Sequence, residues 1–152
     1  MVRIILIFSL FFVCLFAKPI ELSADRFYAD EKSGENVLSG NVVVKKDQDI
    51  LHSAKLLITT DSKRKPTKYK ASGNASFNII LKDKHYKGGG NELIYDVLQD
   101  RYEITGNAFI QELVEKRRLY GDKIIIDKKQ EKYEVISDKS KPVRFIFEVE
   151  ER

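Results

Sequence analysis

Residues 104–111 read ITGNAFIQ. Nearly the same phrase occurs twice before, as LSGNVVVK at 38–45 and ASGNASFN at 71–78. Gly40, Gly73 and Gly106 therefore recur every 33 residues. A second phrase precedes each copy: SADRFYAD at 23–30, SAKLLITTD at 53–61, GGNELIYD at 89–96 and YGDKIIID at 120–127. Asp25 leads Gly40 by 15 residues, and Asn91 leads Gly106 by 15. Asp122 leads Ser137 by 15, so VISDKSKPVRFIF at 135–147 reads as a degenerate fourth copy. Lys55 leads Gly73 by 18, which gives the second unit three additional residues around KRKPTKYK at 63–70. A period of this size is the mark of a repeat architecture.

The units read as strands. Val42 and Val44 alternate with Asn41 and Val43, and Ala75, Phe77 and Ile79 with Asn74, Ser76 and Asn78. Tyr102 and Ile104 alternate with Arg101 and Glu103, and Val143, Phe145, Phe147 and Val149 with Arg144, Ile146, Glu148 and Glu150. Period two is the pattern of half-buried strands. No stretch carries a capped amphipathic helical stripe. Turn chemistry separates the runs: EKSGEN at 31–36, KKDQD at 45–49, KDK at 82–84 and DKKQEK at 127–132. A glycine inside a strand marks a bulge or sheet corner. Recurrence of Gly-Asn within apolar flanks favours a corner in each unit over an ordinary hairpin turn. Stacked corners fold the strands into a trough with one shared interior.

The chain has 152 residues, 43% hydrophobic and 33% charged, which is a globular composition. Its net charge of +4, from 27 basic and 23 acidic residues, demands no nucleic-acid partner. Aromatic interleaving is weak and tryptophan is absent, which argues the same way. Arg3 precedes the apolar run Ile4 to Phe16, and Ala17 is followed by Lys18-Pro19. This is the pattern of a secretory leader over 1–17, with an uncleaved anchor as the alternative. The apolar run is short of the roughly 20 residues a bilayer span needs. The single cysteine, Cys14, lies in that leader, so the domain over 18–152 folds without disulfides. Export points to the periplasm of a Gram-negative cell or to secretion.

The residues offer little for catalysis, metals or cofactors, so no enzyme is expected and no cofactor. His52 and His85 stand apart from other ligand-type residues. Gly88-Gly89-Gly90 lacks the Gly-Lys-Ser/Thr ending of a phosphate loop and opens a strand. Asp25, Asp96 and Asp127 recur at unit edges, where they close turns more readily than they bind calcium. The basic clusters Lys63-Arg64-Lys65 with Lys68 and Lys70, Lys82 with Lys84 and Lys87, and Lys116-Arg117-Arg118 read as solvated loop charge between strands. Their functional reading is contact with an anionic, phosphate-rich ligand.

The opening PIELSAD (19–25), the three Gly-Asn phrases, LYGDKIIID (119–127) and VISDKSKPV (135–143) resemble the LptA family of periplasmic lipopolysaccharide transport proteins and the related OstA-type domain. The resemblance covers about 18–149. It implies an antiparallel β-jelly roll, open along one side. It implies copies stacked end to end between inner-membrane and outer-membrane components of the transport machinery. Lipopolysaccharide would move along the stack with the acyl chains of lipid A in an apolar groove. Alternation together with the resemblance names a lining: Ile20 and Leu22, Val42 and Val44, Ala75 and Phe77, Leu93 and Tyr95, Ala108 and Ile110, Ile124 and Ile126. Plain core packing is the other reading of those residues. Pro19–Leu22 and Val143–Phe147 would be terminal strands and supply the joints. The alternative function is a scaffold, or a membrane-anchored partner of the same bridge, that carries no lipid.

Overall fold

A computed structural model describes residues 19–138 and 141–150. The leader expected over 1–17 lies outside the described residues. Ten strands follow in order: β1 (Glu21–Ser23), β2 (Arg26–Asp30), β3 (Glu35–Lys46), β4 (Asp49–Thr60), β5 (Pro66–Leu81), β6 (Lys84–Asp96), β7 (Arg101–Glu112), β8 (Arg117–Asp127), β9 (Lys132–Ile136) and β10 (Arg144–Ile146). They make one sheet, in which β3 through β8 pair antiparallel in chain order. β1 and β2 both lie along β3, and β9 and β10 both lie along β8. Each edge of the sheet is thus one interrupted strand. The described residues are all-β, an open jelly roll as the family resemblance implies.

Each Gly-Asn pair lies inside a long strand, not at a hairpin end. Gly40, Gly73 and Gly106 have φ of +80°, +76° and +80°, and Asn41, Asn74 and Asn107 have φ of +48°, +56° and +49°. Glycine takes up this left-handed conformation freely, and asparagine tolerates it better than most residues. The ladder slips at each pair. Ser39 pairs with Lys55 but Val42 with Ser53, so Gly40 and Asn41 face Ala54 alone. Gly73 and Asn74 face Asn91 in the same way, and Gly106 and Asn107 face Asp122. Two residues against one is a β-bulge, which bends and twists the strand that carries it. Three bulges in line crease the whole sheet.

The crease divides the sheet into two arms. The first holds 26–39, 55–72, 92–105 and 123–136, and the second holds 21–23, 42–53, 75–90, 108–121 and 144–146. No second layer lies over this sheet among the described residues, yet it has a buried core. Leu38, Leu56, Ala71, Leu93, Ile104 and Ile124 of the first arm form one cluster with Val42, Ala75, Phe77 and Ala108 of the second. The sheet covers itself. Small residues permit this: the inward row next to the crease is Val42, Ser53, Ala75, Gly90, Ala108 and Gly121. A Cβ on Gly90 would lie 2.8 Å from Ile104 Cγ2, and one on Gly121 would lie 2.5 Å from Val135 Cγ1.

Three expectations need correction. The residue opposite Gly73 is Ala54, not Lys55, with a Cβ on Gly73 falling 2.4 Å from that of Ala54. The second unit is therefore longer by four residues rather than three, and 60–67 holds them in a longer hairpin. Gly88-Gly89-Gly90 sits in the middle of β6 rather than at a strand opening. The basic clusters do not all lie between strands: Lys68 and Lys70 belong to β5, Lys84 and Lys87 to β6, and Arg117 and Arg118 to β8.

The recurring aspartates have two roles. Asp30 Oδ1 accepts the Lys32 N–H, Asp96 Oδ1 the Gln99 N–H and Asp127 Oδ1 the Gln130 N–H, so these close turns. Asp25 instead fastens a bulge. Its N–H donates to the Gly40 carbonyl (2.8 Å), and its Oδ2 accepts the Asn41 amide (3.1 Å). Asp122 repeats this at the far edge, where it accepts the N–H of Asp138, again sixteen residues on. The degenerate fourth phrase keeps this contact but not the left-handed pair, since neither Ser137 nor Asp138 has positive φ.

Candidate functional site

The inward face is organised in rows that cross the strands. In the first arm Phe27, Leu38, Leu56, Ala71, Leu93, Ile104, Ile124 and Val135 stand opposite one another from β2 to β9. In the second arm Leu22, Val44, Leu51, Phe77, Gly88, Ile110, Leu119 and Phe145 do the same from β1 to β10. Phe77 lies over Gly88, where a Cβ would meet its ring at 2.5 Å. The two rows face each other across the crease and run the length of the sheet. They are buried in the middle and exposed at Leu22, Phe27 and Phe145, while Val135 at the remaining end is half-buried. Ile104 and Ile124 are 1% and 0% exposed, whereas Phe27 and Phe145 are 63% and 53% exposed.

Of the residues named from the sequence, Val42, Ala75, Phe77, Leu93, Ala108 and Ile124 are buried in the shared core. Val44, Ile110 and Ile126 are half-buried against it. Tyr95 is half-buried beside Tyr102. Leu22 lies in edge strand β1 and Ile20 just before it, and both are exposed. Several inward-facing core residues escaped sequence reasoning. Leu38, Ala71 and Ile104 stand two residues before each glycine, and the alternation read backward through the glycine would have found them. Leu51, Leu56 and Ile58 carried no such signal. On β4 the inward phase changes between Ser53 and Leu56, because Ala54 and Lys55 both face outward at the crease.

One row further from the crease, the first arm carries tyrosines. Tyr69, Tyr95 and Tyr102 are register partners on β5, β6 and β7. Tyr95 and Tyr102 stack with centroids 4.3 Å apart, and Tyr69 and Tyr95 stand 6.2 Å apart. Burial raises the pKa of all three above the ordinary phenol value. For Tyr95 a hydrogen bond donated to Asp100 Oδ1 (2.9 Å) adds to the effect of burial. For Tyr102, after burial, the carboxylates of Asp100 and Asp49 contribute. Asp49 belongs to the other arm. All three phenols stay neutral across the physiological range.

The outward face mixes ion pairs with half-buried apolar residues such as Leu57, Ile94 and Ile125 and the stacked Phe109–Tyr120 pair. Lys70 bridges to Glu92 (3.3 Å) and Lys123 to Glu103 (2.7 Å) on the first arm. On the second arm Lys84, in the inward phase of β6 at the hairpin tip, bridges to Glu115 (3.0 Å). That pair raises the pKa of Lys84 and lowers that of Glu115, in each case chiefly through their hydrogen bond. The two arms thus meet over an aliphatic crease, with ion pairs at their outer surface and hairpin tips. Its floor is aliphatic apart from Ser53, whose hydroxyl donates to the Lys55 carbonyl.

Comparison with known proteins agrees with this geometry. The crystal structure of LptH, described as the LptA-homologous periplasmic component of the lipopolysaccharide transport device of Pseudomonas aeruginosa, superposes with a TM-score of 0.73. It is 20% identical, over 87% of this chain and 96% of that one, so the likeness is one of fold. The lipopolysaccharide export system protein LptA of Escherichia coli is 26% identical over 137 residues, 83% of this chain and 69% of the relative. LptA of Shigella flexneri matches to the same extent. The profile described as LptA/(LptD N-terminal domain) LPS transport protein matches residues 21–132, from β1 to the start of β9. The chain belongs to the family of LptA and LptD N-terminal domain lipopolysaccharide transport proteins.

Proposed function

We propose that this protein carries lipopolysaccharide across the periplasm, sheltering its acyl chains in the trough between the two arms. Copies join end to end and meet transport components at the inner and outer membranes. The observation that supports the reading is the pair of apolar rows that run across the sheet and end in exposed Leu22 and Phe27 at one edge and exposed Phe145 at the other. Water opposes the free passage of a lipid by about 0.8 kcal/mol per CH₂. A ~12-carbon chain therefore costs roughly 10 kcal/mol as an upper bound. An aliphatic trough removes most of that cost without a deep local minimum, so the cargo can move on. Carriage makes and breaks no bond, so the reading is of a transporter and not an enzyme.

The edges suit the joints. β1 and β2 at one end, and β9 and β10 at the other, leave one side of each strand without a ladder partner among the described residues. Exposed Leu22, Phe27 and Tyr28 flank one edge, and Tyr133, Phe145 and Phe147 the other. A second copy added there by strand pairing covers the free edge and extends the rows from one trough into the next. Removal of 143–152 takes away β10 and the Phe145–Phe147 contact. It is expected to shift the protein toward monomer in light scattering at concentrations where the full chain associates. Unchanged oligomers would exclude this edge as a joint.

Photo-crosslinking tests the cargo. A photoreactive residue at Phe77, on the inward face, is expected to capture lipopolysaccharide. The same group at exposed Ser76 is not. Equal capture at both positions, or at neither in folded protein, would favour the scaffold reading over a carrier.

A further inference from the structure

We propose that Tyr69, Tyr95 and Tyr102 form a rail along the lip of the first arm. On this rail rides the boundary between acyl chain and sugar in the bound amphiphile. The saccharide end leaves the trough over this lip and not over the opposite one. The inference rests on the lipid-carrier reading and adds an orientation to it.

The three tyrosines come from successive strands and stack across them, so the ladder runs along the trough axis, the direction in which cargo would travel. They occupy the inward row beyond Leu93 and Ile104, farther from the crease. Tyrosine has an apolar body and a polar tip, and it collects where one side is oily and the other wet. Only Tyr95 spends its hydroxyl on the protein, through Asp100. Among the described residues the hydroxyls of Tyr69 and Tyr102 have no hydrogen-bond partner, and they remain available to a ligand. Lys128 Nζ stands 5.7 Å from the centre of the Tyr102 ring and puts a cation at the same lip.

The opposite lip is built differently. Its corresponding inward row pairs Ile79 with Tyr86, Tyr86 with Glu112 and Glu112 with Arg117. Glu112 is buried and occupied, its carboxylate accepting the N–H groups of Val114 and Glu115 in the 113–116 turn. Among the described residues that lip has no stacked ladder, and Tyr86 is the single tyrosine in its row. One lip offers a repeated ring-and-hydroxyl surface suited to a saccharide of an acylated sugar, and the other does not.

The test compares two probes on the full chain: lipid A, an acylated glucosamine disaccharide, and dodecanoic acid, an acyl chain without sugar. The Tyr69→Phe/Tyr95→Phe/Tyr102→Phe variant keeps the rings and removes the hydroxyls. Its Kd for lipid A is expected to rise about tenfold, with dodecanoic acid changed by less than about twofold. Equal weakening toward both probes, or no change toward either, would overturn the rail and leave the carrier reading intact. Failure of the unaltered protein to bind either probe would overturn both. Should the triple variant not fold, Tyr102→Phe alone is read by the same comparison, with about a threefold loss expected for lipid A only.

Discussion

Ile110→Asp is expected to weaken lipopolysaccharide binding about 100-fold while leaving the β-sheet circular dichroism signal in place. Ile110 is half-buried and points into the trough between Gly88 and Leu119. A carboxylate there keeps its water while the trough is empty. It must lose that water when an acyl chain lies over it, at a cost of several kcal/mol. A difference of about 2.7 kcal/mol is already a factor of 100. Ser76→Asp places the same charge on the outward face and is expected to change binding by less than about threefold. Phe77 is a poorer choice for this test, since its ring fills the space above Gly88 and its loss also opens the core. Binding by folded Ile110→Asp within about threefold of the parent would remove Ile110 from the lining.

The largest effect on stability is expected at the crease. Gly73→Ala should lower the unfolding free energy by roughly 3 kcal/mol, measured by urea titration. Two costs combine. The residue is held at φ +76°, where a side chain is strained, and its new Cβ would lie 2.4 Å from the Cβ of Ala54. A methyl fixed to the backbone of β4 cannot rotate away. Total stabilities of about 5–15 kcal/mol make this a large fraction. At Gly106 the nearest atom is instead the side-chain amide of Asn91, which can move, so Gly106→Ala is expected to cost less. Ala54→Gly combined with Gly73→Ala should recover about 1–2 kcal/mol by removing the steric part. A tolerated Gly73→Ala would mean that the crease does not depend on its glycine.

Much of this molecule was legible in the chain because the fold is local and repeated. The antiparallel meander pairs each strand with its neighbour in sequence, so alternation, turn residues and the glycine period all report the same architecture. The corner glycines were legible for a further reason. A bulge of two residues leaves the parity of its own strand unchanged, so Leu38 and Val42, or Ile104 and Ala108, keep one phase through the bend. Simple alternation therefore finds the lining of β3, β5 and β7.

The strands between them lose that phase at the crease. Ser53 and Leu56 both face inward, and nothing in their order announces the change. The offset that misaligned Lys55 with Asp25 has the same origin, a hairpin whose extra residues could be counted only once Ala54 was seen opposite Gly73. By itself the sequence determined an all-β repeat with an apolar face and a bend at each Gly-Asn pair. Only the tertiary structure decided which apolar residues close the crease and which line its mouth. It alone brought Tyr69 beside Tyr95, 26 residues away, and Tyr102 onto both in one stack. The physical reason is register. Alternation tells which side of a strand is apolar, but cross-strand pairing sets how far from the crease each side chain stands, and so whether it packs, lines or meets the ligand's polar end.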